Sequence, residues 1–389
     1  MIGHSKHVAL LIETSNAYAR GLLRGIHEYV AGHREWSLYL VEHSRLETDF
    51  SWLEGWHGHG VLARIENVET AEFIRRLSLP TVDLSAARLA PELPGAETDD
   101  AHIARWAVEH FVERGITNLA FCGDPRYGWS AKRGTGFATH AVRHGIKAHE
   151  FNLPSTGTRA ADRDQLASWL SSLPKPVGIL ACYDIAGQEV LEACAIAGLA
   201  VPDEVAVIGV DNDELISTLS HPPLSSIEPD SRRTGYLAAA LLDQLMNGEN
   251  VEPGLRLIPP LRIVARQSSD LLSVSDPLVA HALRYIRDRA DTDVKVTDVL
   301  REVGLSRRAL DIRFVKQVGR TVHSEIVRVR MDRVANLLAS TDWTLARIAD
   351  RLQFRHSEYM GAAFKKHTGR SPGRYRRDVT GSISRQDDW

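Results

Sequence analysis

The pattern of apolar and polar positions divides the chain into two parts. Up to about residue 270, short apolar runs alternate with stretches in which apolar residues recur every three or four positions. The strand candidates are residues 7–13, 36–42, 60–64, 80–85, 118–123, 176–183, 205–211 and 261–266. The helix candidates are residues 18–31, 100–115, 133–145, 186–198 and 232–248. Several strands are rich in Val, Ile and Leu without alternation, which predicts parallel sheets covered on both faces.

The pattern changes at residues 266–277, where Ser, Asp and Pro cluster, and only short helices are predicted after it. We therefore predict an α/β fold class over residues 1–270, with parallel sheets that suit two linked lobes. We predict a separate all-α domain over residues 276–378.

Two segments of the second part share one layout. Residues 296–319 and 344–369 each predict a short helix, a break and a second helix that ends at a glycine. Ser306 and Ser357 precede the second helices and are predicted as their N-caps. A long amphipathic helix over residues 321–341 joins the two segments. A short helix that presents a second helix is the geometry of a helix-turn-helix unit that enters the major groove.

Charge is distributed unevenly along the chain. Residues 273–389 carry 23 Lys and Arg against 15 Asp and Glu, a net charge of +8, whereas the whole chain has a net charge of -3. A basic domain next to an acidic one favours a polyanion as partner of the basic domain alone. The three cysteines have no CxxC spacing, no signal peptide is evident and no apolar run could span a membrane. We expect a cytoplasmic protein with no membrane contact.

The second part resembles the AraC-type DNA-binding domain over residues 276–378. The resemblance rests on "VGLSRRALDIRF", "RVANLLAST", "IADRLQF", "FKKHTGRSP" and "YRR". It implies two recognition helices that meet successive major-groove segments of double-stranded DNA. The DNA-facing residues that it implies are Arg307, Arg308, Asp311, Ile312, Arg355, His356, Ser357, Glu358, Gly361, Ala362, Lys365 and Lys366.

These residue types indicate different roles for the two helices. Arg308 can bind guanine and Asp311 can accept from cytosine, while Ile312 suits a thymine methyl group. Gly361 and Ala362 can read no base edge by hydrogen bond. The second unit is therefore expected to contribute phosphate contacts and shape readout more than base readout.

The first part lacks the common catalytic signatures. It has no phosphate-binding GxxxxGK[ST] loop, no GxSxG nucleophile motif and no HExxH zinc motif. We expect no enzymatic activity, no metal and no cofactor. Instead, polar residues follow three strands, in "ETSNAY", "YDI" and "DND", at the strand ends where open α/β sheets bind ligands. Carboxylates, amides and an aromatic face suit a small sugar.

The first part resembles the periplasmic-binding-protein-like sensors of lactose-repressor and ribose-binding type. "WSAKRGTGF" and "VIGVDNDELI" carry the resemblance most specifically. The ligand-binding residues that it implies are Asn16, Tyr18, Arg133, Asp184, Asp211 and Asn212. For Asp184 a helix cap is an equal alternative.

A sensor of this type ahead of an AraC-type domain resembles the regulators of xylose operons. That resemblance implies D-xylose as the ligand, activation of transcription, and a homodimer on an operator with tandem half-sites. Two alternatives stay open at this point. One is the same architecture with another sugar or small ligand, and the other is a sugar-processing enzyme with a nucleic-acid-binding tail.

Overall fold

A computed structural model describes residues 5–33, 36–42, 50–154, 159–270, 276–341 and 343–380 of the chain. By its internal contacts the chain divides into two compact units, Met1–Leu271 and Leu272–Trp389. The first unit combines parallel sheets with helices. In its described residues, the second unit contains helices only.

The first lobe of the first unit is built on a six-stranded sheet. Its strands are β1 (Lys6–Leu11), β2 (Trp36–Leu40), β3 (Gly60–Ala63), β4 (Thr81–Asp83), β5 (Pro94–Thr98) and β11 (Gly254–Ile258). The order is β11-β5-β4-β3-β1-β2, and all neighbouring strands are parallel. The carboxyl ends of these strands therefore meet at one edge of the sheet.

The second lobe has a six-stranded sheet of its own. Its strands are β6 (Asn118–Gly123), β7 (His149–Asn152), β8 (Val177–Ala181), β9 (Val205–Val210), β10 (Ser225–Glu228) and β12 (Arg262–Val264). The order is β12-β10-β9-β8-β6-β7, and only the edge strand β12 runs antiparallel to its neighbour. The prediction of parallel sheets in two lobes is confirmed.

Helices cover both faces of the sheets. They are α1 (Ala17–His33), α2 (Val68–Leu77), α3 (Asp100–Glu113), α4 (Gly128–Arg143), α5 (Arg159–Ser172), α6 (Asp184–Ile196), α7 (Glu214–Leu219) and α8 (Ser231–Met246). In β1, Val8 and Leu10 pack into one apolar cluster while Ala9 and Leu11 pack into another. Burial on both faces explains why this strand has no alternation of apolar and polar residues.

The chain passes between the lobes after β5, after β10 and between β11 and β12. The residues of α3 belong to the core of the second lobe, and those of α8 return to the core of the first lobe. Neither lobe is therefore a continuous segment of sequence, and the carboxyl ends of both sheets lie close to the crossing points.

The second unit consists of α9 (Pro277–Asp288), α10 (Val296–Val303), α11 (Arg307–Val318), α12 (Val322–Ser340), α13 (Leu345–Arg351), α14 (Ser357–Thr368) and α15 (Pro372–Thr380). The two predicted helix-turn-helix units are confirmed as α10 with α11 and α13 with α14. Gly304 ends α10 at a φ of 67°, in the left-handed region that glycine adopts without strain. The joining helix is α12.

Several elements were not predicted from the sequence. The strands missed are β5, β7, β10 and β11, whose sequences are PGAET, HEFN, SSIE and GLRLI. Three of them are polar or contain Pro and Gly, and β7 and β11 are edge strands. Their strand conformation comes from pairing with a neighbour that is distant in sequence, which local pattern does not report.

Candidate functional site

Buried ionic residues lie at the edge where the strands of the first lobe end. The strands β1, β3, β4 and β5 supply one each, in order Glu13, Arg64, Asp83 and Glu97. None of them was predicted as a site residue, because each resembles an ordinary charged residue beside a short apolar run. The sequence did offer one signal, because each of these residues lies at or just after the carboxyl end of a strand, where open α/β sheets bind ligands.

Arg64 organises this group, which also includes Glu66. Its Nη1 donates to Glu13 Oε1 at 2.5 Å and its Nη2 donates to Glu66 Oε1 at 2.8 Å. Burial by itself would lower the pKa of Arg64, but the surrounding carboxylates, first Glu13, raise that pKa overall. The guanidinium therefore keeps its charge inside the lobe.

Some polar atoms in this group have no protein partner. Among the described residues, Arg64 Nε, Glu66 Oε2, Asp83 Oδ2 and Glu97 Oε2 are buried without a hydrogen bond. Buried polar atoms are nearly always paired, so a cluster of unpaired atoms at a sheet edge requires an explanation. A bound molecule with several hydroxyl groups would satisfy both the acceptors and the donor.

The protonation of two of these carboxyls is shifted into the neutral range. Burial raises the pKa of Asp83 to about 8. Burial also raises the pKa of Glu97 to about 7, although Arg64 opposes this shift. A carboxyl that is protonated near neutral pH can donate as well as accept a hydrogen bond.

Two predicted ligand residues lie directly on this group. Asn16 Nδ2 donates to Glu13 Oε1 at 2.8 Å, and its Oδ1 accepts from the Ala19 backbone at the start of α1. Tyr18 OH donates to Glu97 Oε1 at 2.6 Å, and the Arg64 guanidinium lies 5.3 Å from the Tyr18 ring centroid. The structure thus brings Asn16 and Tyr18 together at the edge of the first lobe.

Arg133, in α4, lies at the corresponding edge of the second lobe. Its Nε and Nη2 donate to Asp100 Oδ1 at 2.9 and 2.6 Å, and its Nη1 donates to the Cys182 carbonyl. Burial raises the pKa of Asp100, and the charge of Arg133 offsets part of that shift. Arg133 is buried, so its guanidinium is held in one orientation.

An aromatic cluster surrounds Arg133. The guanidinium lies 5.2 Å from the Trp129 ring centroid. The Trp129 ring stacks on Tyr127 at 5.1 Å and meets Tyr183 edge to face at 5.8 Å. These rings were not predicted as site residues, although "YGW" follows a strand end as the predicted polar residues do. Such faces suit the C–H side of a sugar.

Asp184 is buried and bonded within the protein. Its Oδ2 accepts from the Asp213 backbone at 2.7 Å and its Oδ1 accepts from Ser226 Oγ at 2.6 Å. Burial, with the neighbouring Asp211, raises the pKa of Asp184. The alternative of a helix cap is wrong, because Tyr183 occupies the N-cap of α6 and Asp184 is the first residue of the helix. Asp184 instead ties the loop that follows β9 to strand β10.

Asp211 and Asn212 have unusual backbone conformations. Their φ values are 106° and 48°, in the region that residues other than glycine rarely adopt. Asn212 Oδ1 accepts from Arg266 at 2.7 Å, which helps to hold this turn. Backbone strain of this kind concentrates at ligand-binding positions, where the surrounding structure maintains it.

Direct contacts join the two edges. Arg20 Nη2 donates to Asp213 Oδ2 at 3.1 Å, from α1 of the first lobe to the N-cap of α7 in the second. Lys132 Nζ donates to the Ala86 carbonyl. The predicted ligand residues of both lobes thus line edges that meet.

The predicted DNA-facing residues of the first helix-turn-helix unit are on the outer face of α11. Arg307, Arg308 and Ile312 are exposed, and 62% of Ile312 is accessible. Asp311 lies 3.7 Å from Arg307 in a loose ion pair. Leu310, Phe314 and Val318 lie on the opposite, buried face of the helix. Ser306 caps α11 by accepting from the Ala309 backbone, which confirms that prediction.

The second recognition helix, α14, also presents an exposed face. The exposed predicted residues are Arg355, His356, Glu358, Ala362, Lys365 and Lys366, and the half-exposed ones are Ser357 and Gly361. The prediction that Ser357 is an N-cap is wrong, since His356 holds that position and Ser357 is the first helical residue. Tyr359 was not predicted, yet 65% of it is accessible on the same helix. The hydroxyl group of an exposed tyrosine there suits a contact with a DNA phosphate.

Comparison with known proteins covers both units. A family model for the XylR N-terminal domain matches residues 7–94, and one for periplasmic binding protein-like domains matches residues 108–269. A helix-turn-helix domain model matches residues 299–378. The xylose operon regulatory protein of Escherichia coli K12 is 32% identical over 97% of this chain and 98% of its own length. This chain belongs to the family of xylose operon regulatory proteins.

Other members of this family support the assignment. The xylose operon regulatory protein of Haemophilus influenzae is 31% identical over 95% of this chain and 97% of its own length. A solved structure of the xylose-binding transcription activator XylR superposes with a TM-score of 0.80 at 30% identity, covering 98% of this chain and all of that one. The chain is accordingly a DNA-binding transcription regulator, and its relatives are regulators rather than enzymes. No described helix has the length and apolar character needed to cross a membrane.

Proposed function

We propose that this regulator responds to D-xylose and activates transcription. The observation that carries the proposal is the set of unpaired buried polar atoms at the edge of the first lobe, opposite the aromatic cluster around Arg133. A small sugar offers hydroxyl groups to the former and a C–H face to the latter. The names of the relatives, which include a xylose-binding transcription activator, select D-xylose among small sugars.

In this proposal the predicted ligand residues act in two ways. Asn16, Tyr18 and Arg133 face the sugar from the two lobes, and Asp211 and Asn212 supply polar groups from the strained turn. Asp184 holds that turn in place. Glu66, Asp83 and Glu97, with Arg64 Nε, extend the hydrogen-bonding set beyond the residues that the sequence indicated.

The exposed faces of α11 and α14 are proposed as the DNA-reading surfaces. Arg307, Arg308, Asp311 and Ile312 read base edges, and Lys365 and Lys366 bind phosphates. We propose that a homodimer places its recognition helices on tandem half-sites in the cytoplasm, where chromosomal DNA is available. Sugar binding would favour the DNA-competent state by binding it more tightly than the other state.

The experiment is a thermal-unfolding screen of the purified chain with D-xylose, L-arabinose, D-ribose and D-glucose. A sugar present at a hundred times its dissociation constant stabilises the folded state by ~2.7 kcal/mol, a visible shift in melting temperature. We expect D-xylose to give that shift. A shift with another sugar alone would preserve the architecture and change the ligand.

The variant E97Q locates the site in the same screen. The screen is run at pH 8, above the pKa of about 7 of Glu97, so that Oε2 is an ionised acceptor. The amide keeps the shape and can still accept from Tyr18, but it places an NH₂ group where this unpaired acceptor lies. We expect D-xylose to raise the melting temperature of E97Q much less than that of wild type. The matched control is E92Q, which changes an exposed glutamate of the same lobe and should respond like wild type. An undiminished response in E97Q would remove this edge from the sugar site.

A further inference from the structure

The two helix-turn-helix units have separate apolar cores. Buried residues of α9, α10 and α11 cluster with the first half of α12, which contributes Val322, Ile326 and Val329. Buried residues of α13 and α14 cluster with the second half of α12, which contributes Met331, Val334 and Leu338. Since α11 belongs to one core and α14 to the other, apolar packing does not by itself fix their relative position.

Arg330 lies at the junction of the two cores, in the middle of α12. Its Nη1 donates to Asp293 Oδ1 at 3.1 Å, in the loop between α9 and α10. Its Nη2 donates to the Leu352 carbonyl at 2.7 Å, in the turn of the second unit. The guanidinium also lies 3.9 Å from the Phe354 ring centroid. Only 8% of Arg330 is accessible, so one buried cation joins the loop between α9 and α10 to the turn between α13 and α14.

Asp291, in the same loop, makes a second connection. It accepts from Arg333 Nε on α12 at 2.7 Å and pairs with Arg351 Nη2 at the end of α13 at 3.0 Å. The Asp293 backbone N–H adds a bond of 3.4 Å to Gln353 Oε1. The loop between α9 and α10 is therefore bonded at several points to α12, to the end of α13 and to the turn between α13 and α14.

We propose that Arg330, with Asp291 and Asp293, sets the distance and angle between the recognition helices α11 and α14. These residues, which we call the polar bridge, are positioning residues and touch no base. The bridge holds α11 and α14 in one fixed relative position, so that only one spacing between the two DNA segments fits both helices. The inference rests on the DNA-reading role proposed for α11 and α14.

The test measures how affinity depends on spacing. A duplex is selected from a random pool by the full-length wild-type chain in the presence of D-xylose, and one or two base pairs are then inserted between the segments contacted by α11 and α14. Each insertion moves one segment by about 3.4 Å and rotates it by about 34°. For wild type we expect one insertion to weaken binding by at least about tenfold, because a displaced helix loses its base contacts.

The variant R330A should bind the unmodified duplex more weakly and lose less than about threefold on insertion, because its helices can adjust to the new spacing. The double variant D291N/D293N should flatten the dependence in the same way. It raises the positive charge of the domain, whereas R330A lowers it, so a purely electrostatic effect would change the affinities in opposite directions and leave the spacing dependence unchanged.

The matched control is R328A, which removes a cation of the same helix that pairs with Glu325 and Asp332 of that helix. It should keep the steep dependence of wild type. If inserted base pairs weakened binding by the same factor in wild type, R330A and D291N/D293N, the inference would be overturned while DNA binding remained intact. A wild-type chain that selected no duplex would overturn both the inference and the DNA-reading role.

Discussion

At the scale of single residues, the first lobe keeps several carboxyl groups buried. Asp83 accepts from the Ser85 backbone at 2.9 Å but is otherwise surrounded by the first lobe. Burial disfavours its charged form, so the group costs stability when it ionises. Such a cost is tolerated at ligand sites, where binding recovers part of it.

This arrangement predicts that the stability of the sensor falls as pH rises from 6 to 8. The pKa of Asp83 is about 8 in the folded chain and near 3.8 in the unfolded chain. The folded state therefore holds a proton that the unfolded state has lost. The favourable contribution is complete below pH 3.8 and disappears as pH rises through 8, with ~2–3 kcal/mol of the loss between pH 6 and 8.

The variant D83N removes this titration and should lose less stability over that interval, as measured by urea unfolding at pH 6 and pH 8. Glu92 provides the control, because its pKa is lowered by the hydrogen bond from Arg75, so it does not titrate there. E92Q should therefore keep the wild-type pH dependence. Identical pH dependence in wild type and D83N would contradict the burial of a neutral Asp83.

At the scale of elements, the first lobe depends on the close approach of α1 and α8. A Cβ atom on Gly25 would lie 1.9 Å from the Arg232 carbonyl oxygen, and one on Gly235 would lie 2.0 Å from the Leu22 carbonyl oxygen. Both obstacles are backbone atoms, so the helices would have to separate. The glycines are needed here for contact between helices.

We therefore expect G25A to lower the free energy of unfolding by at least ~1–3 kcal/mol, since overpacking a tight contact forces the backbone to shift. The control lies in the same helix: a Cβ on Gly32 meets nothing within 4 Å. G32A should be neutral or stabilise by ~0.5–1 kcal/mol through helix propensity. The melting temperature should fall in G25A and stay level or rise in G32A, and a neutral G25A would refute the tight packing.

At the scale of the whole molecule, the two lobes proposed to bind sugar and the helix-turn-helix domain belong to one chain. If D-xylose favours the DNA-competent state, linkage requires that DNA raise the affinity for D-xylose by the same factor. We expect a factor of about 5–150, the usual range for coupled sites. Fluorescence anisotropy with and without sugar gives one side of the cycle, and calorimetric sugar titration with and without DNA gives the other. Unchanged DNA affinity at saturating sugar would end the coupling proposal.

Much of the architecture could be predicted because it follows from the local pattern of apolar, polar and glycine residues. Unalternating Val, Ile and Leu runs indicated the buried strands, and glycine endings with a serine cap indicated the helix-turn-helix units. Predictions failed where a residue depended on a distant neighbour. Ser357 has the right chemistry for an N-cap, but its helix begins one position earlier than the pattern suggests.

The sequence by itself determined the two kinds of domain and most of the order of elements, because these follow from periodicity, capping and charge along the chain. The DNA-facing residues of α11 and α14 were indicated by the family resemblance. Only the tertiary structure showed that Glu13, Arg64, Asp83 and Glu97 form one group, and that Asp291 and Asp293 reach Arg330. Each of these residues is unremarkable in its own segment. They form a site or a bridge only when strands and turns far apart in sequence pack side by side. The same packing excludes water, which strengthens the interactions between their charges.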